Sequence, residues 1–465
     1  MKIKESYAKT VIMRLMKLIH FVLCFVLFSL CWQFFFSVDS SHNLLVRYDV
    51  LMCCFFGACT VVFNRIYQSY VVGYERVSNL VYSQILSSFL SYGLVYFCHC
   101  IVWFKLFNPL MLIVAFALQG VLNFVWCLLA NRLYFSINAK KRAILVYRNA
   151  VDLEKLQEVR YFTDRFSVEK CIEVHSEDYV EIVSIIKDYE AVFVAGVNAT
   201  LRNSIVKYCV ENNIQGYFVP HVGDVILMGA NHIQQFSIPI MHVRRAKLNP
   251  EYLVLKRFLD IFVCGISTIL LSPVMLIVAL AVKCYDGGPV FYKQVRLTKN
   301  GKEFEILKFR SMRVDAEKDG VARLASEKDD RITPIGKVIR ACRLDELPQL
   351  FNILRGDMTI VGPRPERPEI AKQYEEIIPS FSLRLQVKAG LTGYAQIYGK
   401  YNTAPYDKLE MDLMYINKMS FFEDLKLMFA TVKILFIKDS TSGVENGQTT
   451  AVSREENKKE EKSKI

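Results

Sequence analysis

The first 135 residues alternate between long apolar runs and short polar breaks. Apolar residues dominate from about Leu18 to Val38, through Val50–Phe63, from about Leu80 to Phe104, and over Leu110–Ala130. The breaks are Asp39–Asn43, a segment holding Arg65, Glu75 and Arg76, and Lys105–Pro109. Each run approaches the ~20 residues needed to cross a bilayer. The pattern therefore predicts a four-helix transmembrane region over residues 1–135. Lys2, Lys4, Lys9, Arg14 and Lys17 precede the first run, and Arg132, Lys140, Lys141 and Arg142 follow the fourth. The positive-inside bias then places both ends of this region in the cytoplasm.

Over residues 140–245 the period changes. Short apolar runs at Ala143–Tyr147, Ala191–Ala195 and Gln215–Val219 read as strands, separated by helical stretches at Leu153–Phe166, Asp178–Tyr189 and Ala199–Asn212. Strand–helix alternation predicts a small α/β domain with a parallel sheet. A dinucleotide site needs a glycine-rich turn after the first strand, but the turn here is Tyr147-Arg148-Asn149-Ala150. A structural or regulatory module is the better reading, with Gly196 and Asn198 as a weak ligand option.

Phe258–Val282 is again long enough to enter a membrane, and it is interrupted by Ser272-Pro273. Basic residues flank both sides, Arg244, Arg245, Lys247, Lys256 and Arg257 before it and Lys283, Lys293 and Arg296 after it, so both ends favour one face. Proline removes a helix donor, and Ser272 can satisfy the freed backbone groups. A re-entrant helix–break–helix over about residues 254–283 is expected, with an ordinary fifth span as the alternative. Beyond it, Val290–Tyr292 and Glu303–Leu307 read as strands, and residues 315–330 as a charged mobile loop. Pro334–Arg340, Pro368–Ile378 and Asp407–Asn417 read as helices. Ser420–Ile437 suits a core helix or the membrane interface equally, and residues 439–465 form a polar, disordered tail.

Composition sharpens this picture. The 465 residues are 52% hydrophobic, with a net charge of +12 and a mean hydropathy of +0.23. A basic surplus fits nucleic acid, an anionic lipid surface or a phosphorylated substrate; beside membrane segments, the lipid surface and the positive-inside bias explain it best. The 13 cysteines show no C-x-x-C pair or metal spacing and read as reduced, mostly buried thiols. No cleavable leader pattern precedes the first run.

The chemistry concentrates in Arg340–Pro365, R-A-C-R-L-D-E-L-P-Q-L-F-N-I-L-R-G-D-M-T-I-V-G-P-R-P. Asp345 and Glu346 lie among Arg340, Arg343, Arg355 and Arg364. Arginine reads phosphate through a planar fork, and a carboxylate can attack phosphorus or hold Mg²⁺. Leu347, Leu350, Phe351 and Leu354 recur at helical spacing, which places the acid pair on an amphipathic helix. A solvated helix face with ion pairs is the plainer explanation of such charges alone. Pro348, Gly356, Gly362, Pro363 and Pro365 favour a shaped cleft. Lys308 and Arg310 flank Phe309; on a strand both would face one side.

This stretch resembles the bacterial sugar transferases, the polyprenyl-phosphate hexose-1-phosphate transferases that start surface-polysaccharide synthesis. The resemblance extends to F-Y-K-Q-V-R at Phe291–Arg296, N-G-K-E-F at Asn300–Phe304 and L-K-F-R-S-M at Leu307–Met312, and covers roughly Leu253–Lys438. It implies a membrane protein of α-helical plus α/β class, with four transmembrane helices, a Rossmann-like α/β domain and a catalytic domain over residues 250–438 anchored by the re-entrant helix. It implies transfer of a hexose 1-phosphate from a UDP-sugar to polyprenyl (undecaprenyl) phosphate at the cytoplasmic face of the inner membrane, releasing UMP. Asp345 would be the nucleophile, Glu346 the Mg²⁺ ligand, and Arg340, Lys308, Arg310 and Arg364 the phosphate or nucleotide contacts. Asp357 and Gln349 are second-tier candidates, for which a cap or a buried hydrogen bond serves as well. Tyr394 and Tyr398 offer faces for uracil, although packing is the commoner use. Asp412 takes the place of an acid in the family pattern, but its neighbours differ and no sugar preference follows. The alternatives are a membrane glycosyltransferase releasing UDP, for which no Asp-x-Asp is present, and a non-catalytic membrane scaffold. The four spans and the α/β domain also offer surface for a homodimer.

Overall fold

The computed structural model describes residues 2–35, 43–150, 152, 153, 156, 165–174, 179–235, 238–245, 249–314, 316, 331–399 and 404–435. Most of the helix expected over Leu153–Phe166, the charged loop at 315–330 apart from Ala316, and the tail at 439–465 lie outside the described residues. The chain divides into two compact units, Met1–Pro220 and His221–Ile465.

In the first unit the apolar runs form helices Lys2–Phe35, Asn43–Ile66, Val77–Trp103 and Leu110–Ile137. Their exposure is inverted relative to a water-soluble bundle. Leu18, Leu51, Phe89 and Val121 face outward, whereas Gln84, Ser88, Gln119 and Asn123 are buried. Without water, polar groups in hydrocarbon must pair with one another, and here they form a chain. Tyr92 Oη donates to Gln119 Oε1 at 3.0 Å, and Gln119 Nε2 and Asn123 Nδ2 donate to Ser88 Oγ at 3.0 and 3.1 Å. His20 Nε2 then donates to Asn123 Oδ1 at 3.1 Å, tying the first helix to the third and fourth.

The α/β region is a four-stranded parallel sheet of β1 (Lys141–Tyr147), β2 (Phe166–Glu173), β3 (Ala191–Ala195) and β4 (Gln215–Phe218), in the order β2-β1-β3-β4. The two central strands are continuous apolar runs because both their faces are covered. β2, absent from the sequence reading, is a half-exposed edge strand whose polar residues hide its period. At the carboxyl ends of β1 and β3, where the strand order reverses, Gly196 has φ +69 and the Asp152 carboxylate lies against the position its side chain would take.

The second unit begins upstream of the boundary read from the sequence, and takes in residues 221–245. Val225 is wholly buried in its main core, and Asn417 Nδ2 donates to the Val225 carbonyl at 2.6 Å. β5 (Asn231–Gln235) and β6 (Ile238–His242) form a hairpin that the sequence did not reveal. The hairpin of β7 (Phe291–Leu297) and β8 (Glu303–Phe309) matches expectation, as do helices Pro334–Ala341, Pro368–Ile377 and Pro405–Lys418.

The long apolar segment departs from its forecast. Pro250–Asp286 is one continuous helix rather than two helices around a break. Pro273 has no N–H for the carbonyl of Ile269, and Ser272 Oγ supplies the missing donor at 2.7 Å. That substitution lets the helix run through the proline. One stripe of the helix is buried: Lys256, Asp260, Cys264, Met275, Val278 and Val282. Phe258, Phe262, Ile269, Leu270 and Ile277 face outward. With the four helices of the first unit, five described helices are long and apolar enough to cross a membrane, which marks a multi-pass membrane protein.

Candidate functional site

Asp345 and Glu346 sit on a single 3₁₀ turn, Leu344–Glu346, not on the amphipathic helix expected for them. Helix Pro334–Ala341 stops because Arg343 takes a left-handed conformation, φ 53 and ψ 22. The next helix, Gln349–Arg355, starts only after Pro348. The acids therefore occupy the tight corner between two short helices.

Opposite them stands β8. Lys308 Nζ lies 3.0 Å from Glu346 Oε1, and Arg364 Nη2 lies 3.4 Å from the same oxygen. Asn352 sets this register. Fully buried on helix Gln349–Arg355, it accepts from Leu307 N at 2.9 Å and donates to Glu305 O at 2.7 Å. One side chain thus fixes the strand bearing Lys308 against the helix that follows the acids. Nothing in the linear pattern singled out Asn352 for this task.

The two carboxyls are shifted in opposite directions. Burial pushes the Asp345 carboxyl above its ordinary range; Lys308 and Arg340 oppose that rise, and Glu346 adds to it. Burial also works against ionisation of Glu346, but Lys308 and Arg364 outweigh it and hold this carboxyl well below the usual carboxylate range. Among the described residues the Asp345 carboxylate has no ion pair, and the one hydrogen bond acting on it comes from its own backbone.

The remaining candidates separate. Arg340, half-buried, acts on Asp345 through its charge. Arg310 does not share a partner with Lys308. It lies just past the end of β8, is buried, and forms a bidentate pair with Asp286 at the end of the long helix while donating to Pro289 O at 2.7 Å. Asp357 follows helix Gln349–Arg355 and is tied to Asn352 and, through its carbonyl, to Thr298. Gln349 is buried at the start of that helix. Tyr394 donates to Glu423 at 2.7 Å and packs edge-on against Tyr398, a packing role. Asp412 is buried and pairs with Arg384 at 2.7 Å, behind the site. Ser272 and Pro273 lie on the long helix as described. A separate cavity of about 990 Å³, lined by Arg244, Arg245, Asn300 and Gln386 among others, contains neither acid.

Residues 251–438 match the family described as bacterial sugar transferase. Over 190 residues the chain is 39% identical to the UDP-glucose:undecaprenyl-phosphate glucose-1-phosphate transferase of Caulobacter vibrioides, covering 40% of this chain and 71% of that one. The chain belongs to the bacterial sugar transferase family. Another relative is the putative undecaprenyl-phosphate N-acetylgalactosaminyl 1-phosphate transferase of Bacillus subtilis, 41% identical over 156 residues, with 33% of this chain and 87% of that one covered. A third, the UDP-glucose:undecaprenyl-phosphate glucose-1-phosphate transferase of Klebsiella pneumoniae, is 38% identical over 242 residues. That alignment covers 51% of this chain and 52% of the relative, so the match spans about half the relative's length. The part of this chain covered by the family match contains Asp345, Glu346, Lys308, Arg340 and Arg364.

Proposed function

We propose that this chain transfers a sugar 1-phosphate from a UDP-sugar to undecaprenyl phosphate, releasing UMP. The observation that carries the reading is the division of labour within the acid pair. Glu346 is neutralised by two cations, whereas Asp345 carries no ion pair among the described residues and is available as a nucleophile. A carboxylate oxygen of Asp345 attacks the sugar-bearing phosphorus, and the bond from that phosphorus to the bridging oxygen breaks. UMP leaves with the bridging electrons, and a sugar-phosphoryl ester of Asp345 remains. An oxygen of undecaprenyl phosphate then attacks the same phosphorus, and Asp345 departs as carboxylate. Lys308, Arg340 and Arg364 neutralise phosphate charge during both displacements.

Magnesium fits this donor set. Both recorded contacts to Glu346 fall on Oε1, leaving Oε2 without a partner among the described residues. No group of three or more His, Cys, Asp and Glu stands together among the described residues. A single carboxylate suits Mg²⁺, which characteristically keeps phosphates and water as its other ligands. When bound by Glu346 it would supply charge neutralisation at the diphosphate.

We further propose that Pro250–Asp286, continuous in its hydrogen bonding but bent at Pro273, enters and leaves the membrane on the cytoplasmic side. Three features support this. Lys256, Arg257 and Asp260 in its first half bind the same compact unit that Met275, Val278, Val282 and Asp286 bind in its second half. The stretch 265–274 between those two sets would span about 15 Å as helix, half of the ~30 Å hydrocarbon core. Basic residues flank both ends. Such seating holds Asp345 at headgroup level, where a soluble UDP-sugar meets a lipid phosphate. The prenyl tail contributes about 0.8 kcal/mol per buried CH₂.

The test is to incubate the protein with UDP-glucose or UDP-N-acetylgalactosamine and no lipid acceptor, then weigh the peptide containing Asp345. Gain of one sugar-phosphate mass, absent from Asp345→Asn, is expected. An unmodified peptide, from a preparation that turns over once undecaprenyl phosphate is added, would contradict the covalent route.

A further inference from the structure

The backbone that carries Arg364 is held at both ends by buried charged side chains belonging to other elements. At its start, β9 (Thr359–Val361) is gripped by the long helix. Thr359 Oγ1 and Ile360 N donate to Asp260 at 2.7 and 3.0 Å, and Lys256 Nζ donates to Val361 O at 2.9 Å. In the middle, Gly362 N donates to Thr392 O at 2.8 Å, and the glycine lies so close to Gly390 and the Lys388 carbonyl that no side chain fits there. At its end stands Arg384, 2% exposed.

Arg384 Nη2 donates to the carbonyl of Arg364 at 2.8 Å, and Nη1 lies 3.6 Å from Glu366 Oε1. Its guanidinium is in turn oriented by Asp412, with Nε at 2.8 Å from Oδ2, and by the face of Phe381 at 4.9 Å. Arg296 completes the clamp. It donates to Pro365 O at 3.1 Å, and Leu297 N donates to Glu366 O at 2.9 Å. Among the described residues, only Arg384 is recorded in contact with both the carbonyl of Arg364 and the side chain two residues on. It does so through separate arms of one rigid fork, which a lysine cannot reproduce.

We infer that Arg384 is a positioning residue for the phosphate site: it acts through the Arg364 carbonyl and Glu366 to aim the Arg364 guanidinium at Glu346 and the substrate diphosphate. The inference rests on the functional reading above for what Arg364 does, and on the contacts alone for how it is held. Its consequence is energetic coupling. If Arg384 works by aiming Arg364, its substitution matters only while Arg364 is present.

The test is a double-mutant cycle in the full-length membrane protein. It uses Arg384→Lys, Arg364→Ala and the pair, read as kcat/KM for UDP-glucose with undecaprenyl phosphate and, in parallel, as Kd for UDP-glucose. Arg384→Lys should lower kcat/KM by at least about tenfold in the native background and by under about twofold in the Arg364→Ala background. Kd should show the same pattern, whichever nucleotide the enzyme releases. Equal losses in both backgrounds would overturn the inference and make Arg384 merely structural, leaving the functional reading intact. An Arg364→Ala protein with unaltered affinity and turnover would overturn both the role of Arg364 and its positioning. Should Arg384→Lys not fold, the nearly isosteric Glu366→Gln takes its place in the cycle. Glu366→Gln should show a smaller loss that likewise disappears with Arg364→Ala, and additivity there counts against the inference in the same way.

Discussion

Asp345 and Glu346 share one backbone turn, and a single lysine has a large part in setting them apart. Lys308 opposes the burial that raises the Asp345 carboxyl and does most to depress Glu346. Removing its charge while keeping its length should raise both. The acid limb of kcat/KM for Lys308→Met should therefore move to higher pH than in the native enzyme, as read from pH–rate profiles. An unmoved or lowered limb would contradict the assignment. The same raised carboxyl carries a stability cost. The folded value lies above the unfolded one, so the penalty is absent below about pH 4, grows as pH rises between the two values, and is complete above the folded value. Asp345→Asn should thus raise Tm at neutral pH, and the gain should shrink as pH falls and vanish near pH 4. A Tm unchanged at pH 7 would speak against buried charge at this position. The acids themselves were legible in the sequence through their arginine neighbours. Asn352 and Arg384 were not, because their value lies in backbone groups they meet across the fold rather than in spacing along it.

At the scale of elements, short helices and buried ion pairs frame the site. The expectation of an amphipathic helix under the acids failed for two local reasons: Arg343 ends the preceding helix in a left-handed conformation, and Pro348 precedes the next one. Apolar spacing across Leu347, Leu350 and Phe351 was real, but only the part after Pro348 is α-helical. Arg310 shows the same limit. Alternation with Lys308 suggested a common target, yet the strand ends at Phe309 and Arg310 turns to clamp Asp286. The long apolar helices and the central strands β1 and β3 were readable because continuous apolar runs need no partner to identify them. The edge strand β2 and the β5–β6 hairpin lack such a run. The buried Arg384–Asp412 pair makes a thermodynamic prediction. Truncating Asp412 to alanine leaves Arg384 buried with less compensation, and should cost about 3 kcal/mol of stability, measured by denaturant unfolding in detergent. A loss under about 1 kcal/mol would place the pair in the range of an exposed contact.

For the whole molecule, the decisive question is how the long helix meets the bilayer. Its two halves bind one compact unit along a single stripe, while the opposite side presents Phe262, Ile269, Leu270 and Ile277. A variant retaining only Cys284 and one carrying Glu251→Cys as its only cysteine should react with a membrane-impermeant thiol reagent in inverted vesicles. Both should be protected in intact spheroplasts. Labelling from opposite sides would establish a crossing helix and remove the geometric basis for seating Asp345 at the cytoplasmic headgroups. At residues 272 and 273 the helix stays continuous because the Ser272 hydroxyl supplies the donor that Pro273 lacks.

The central claim is phosphosugar transfer through Asp345, and the nucleotide product tests it most directly. Membranes containing the protein, supplied with undecaprenyl phosphate, Mg²⁺ and either UDP-glucose or UDP-N-acetylgalactosamine, should release UMP in step with lipid-linked sugar diphosphate. Asp345→Asn membranes with equal amounts of folded protein should release none. Release of UDP, or UMP formation undiminished in Asp345→Asn, would contradict the account.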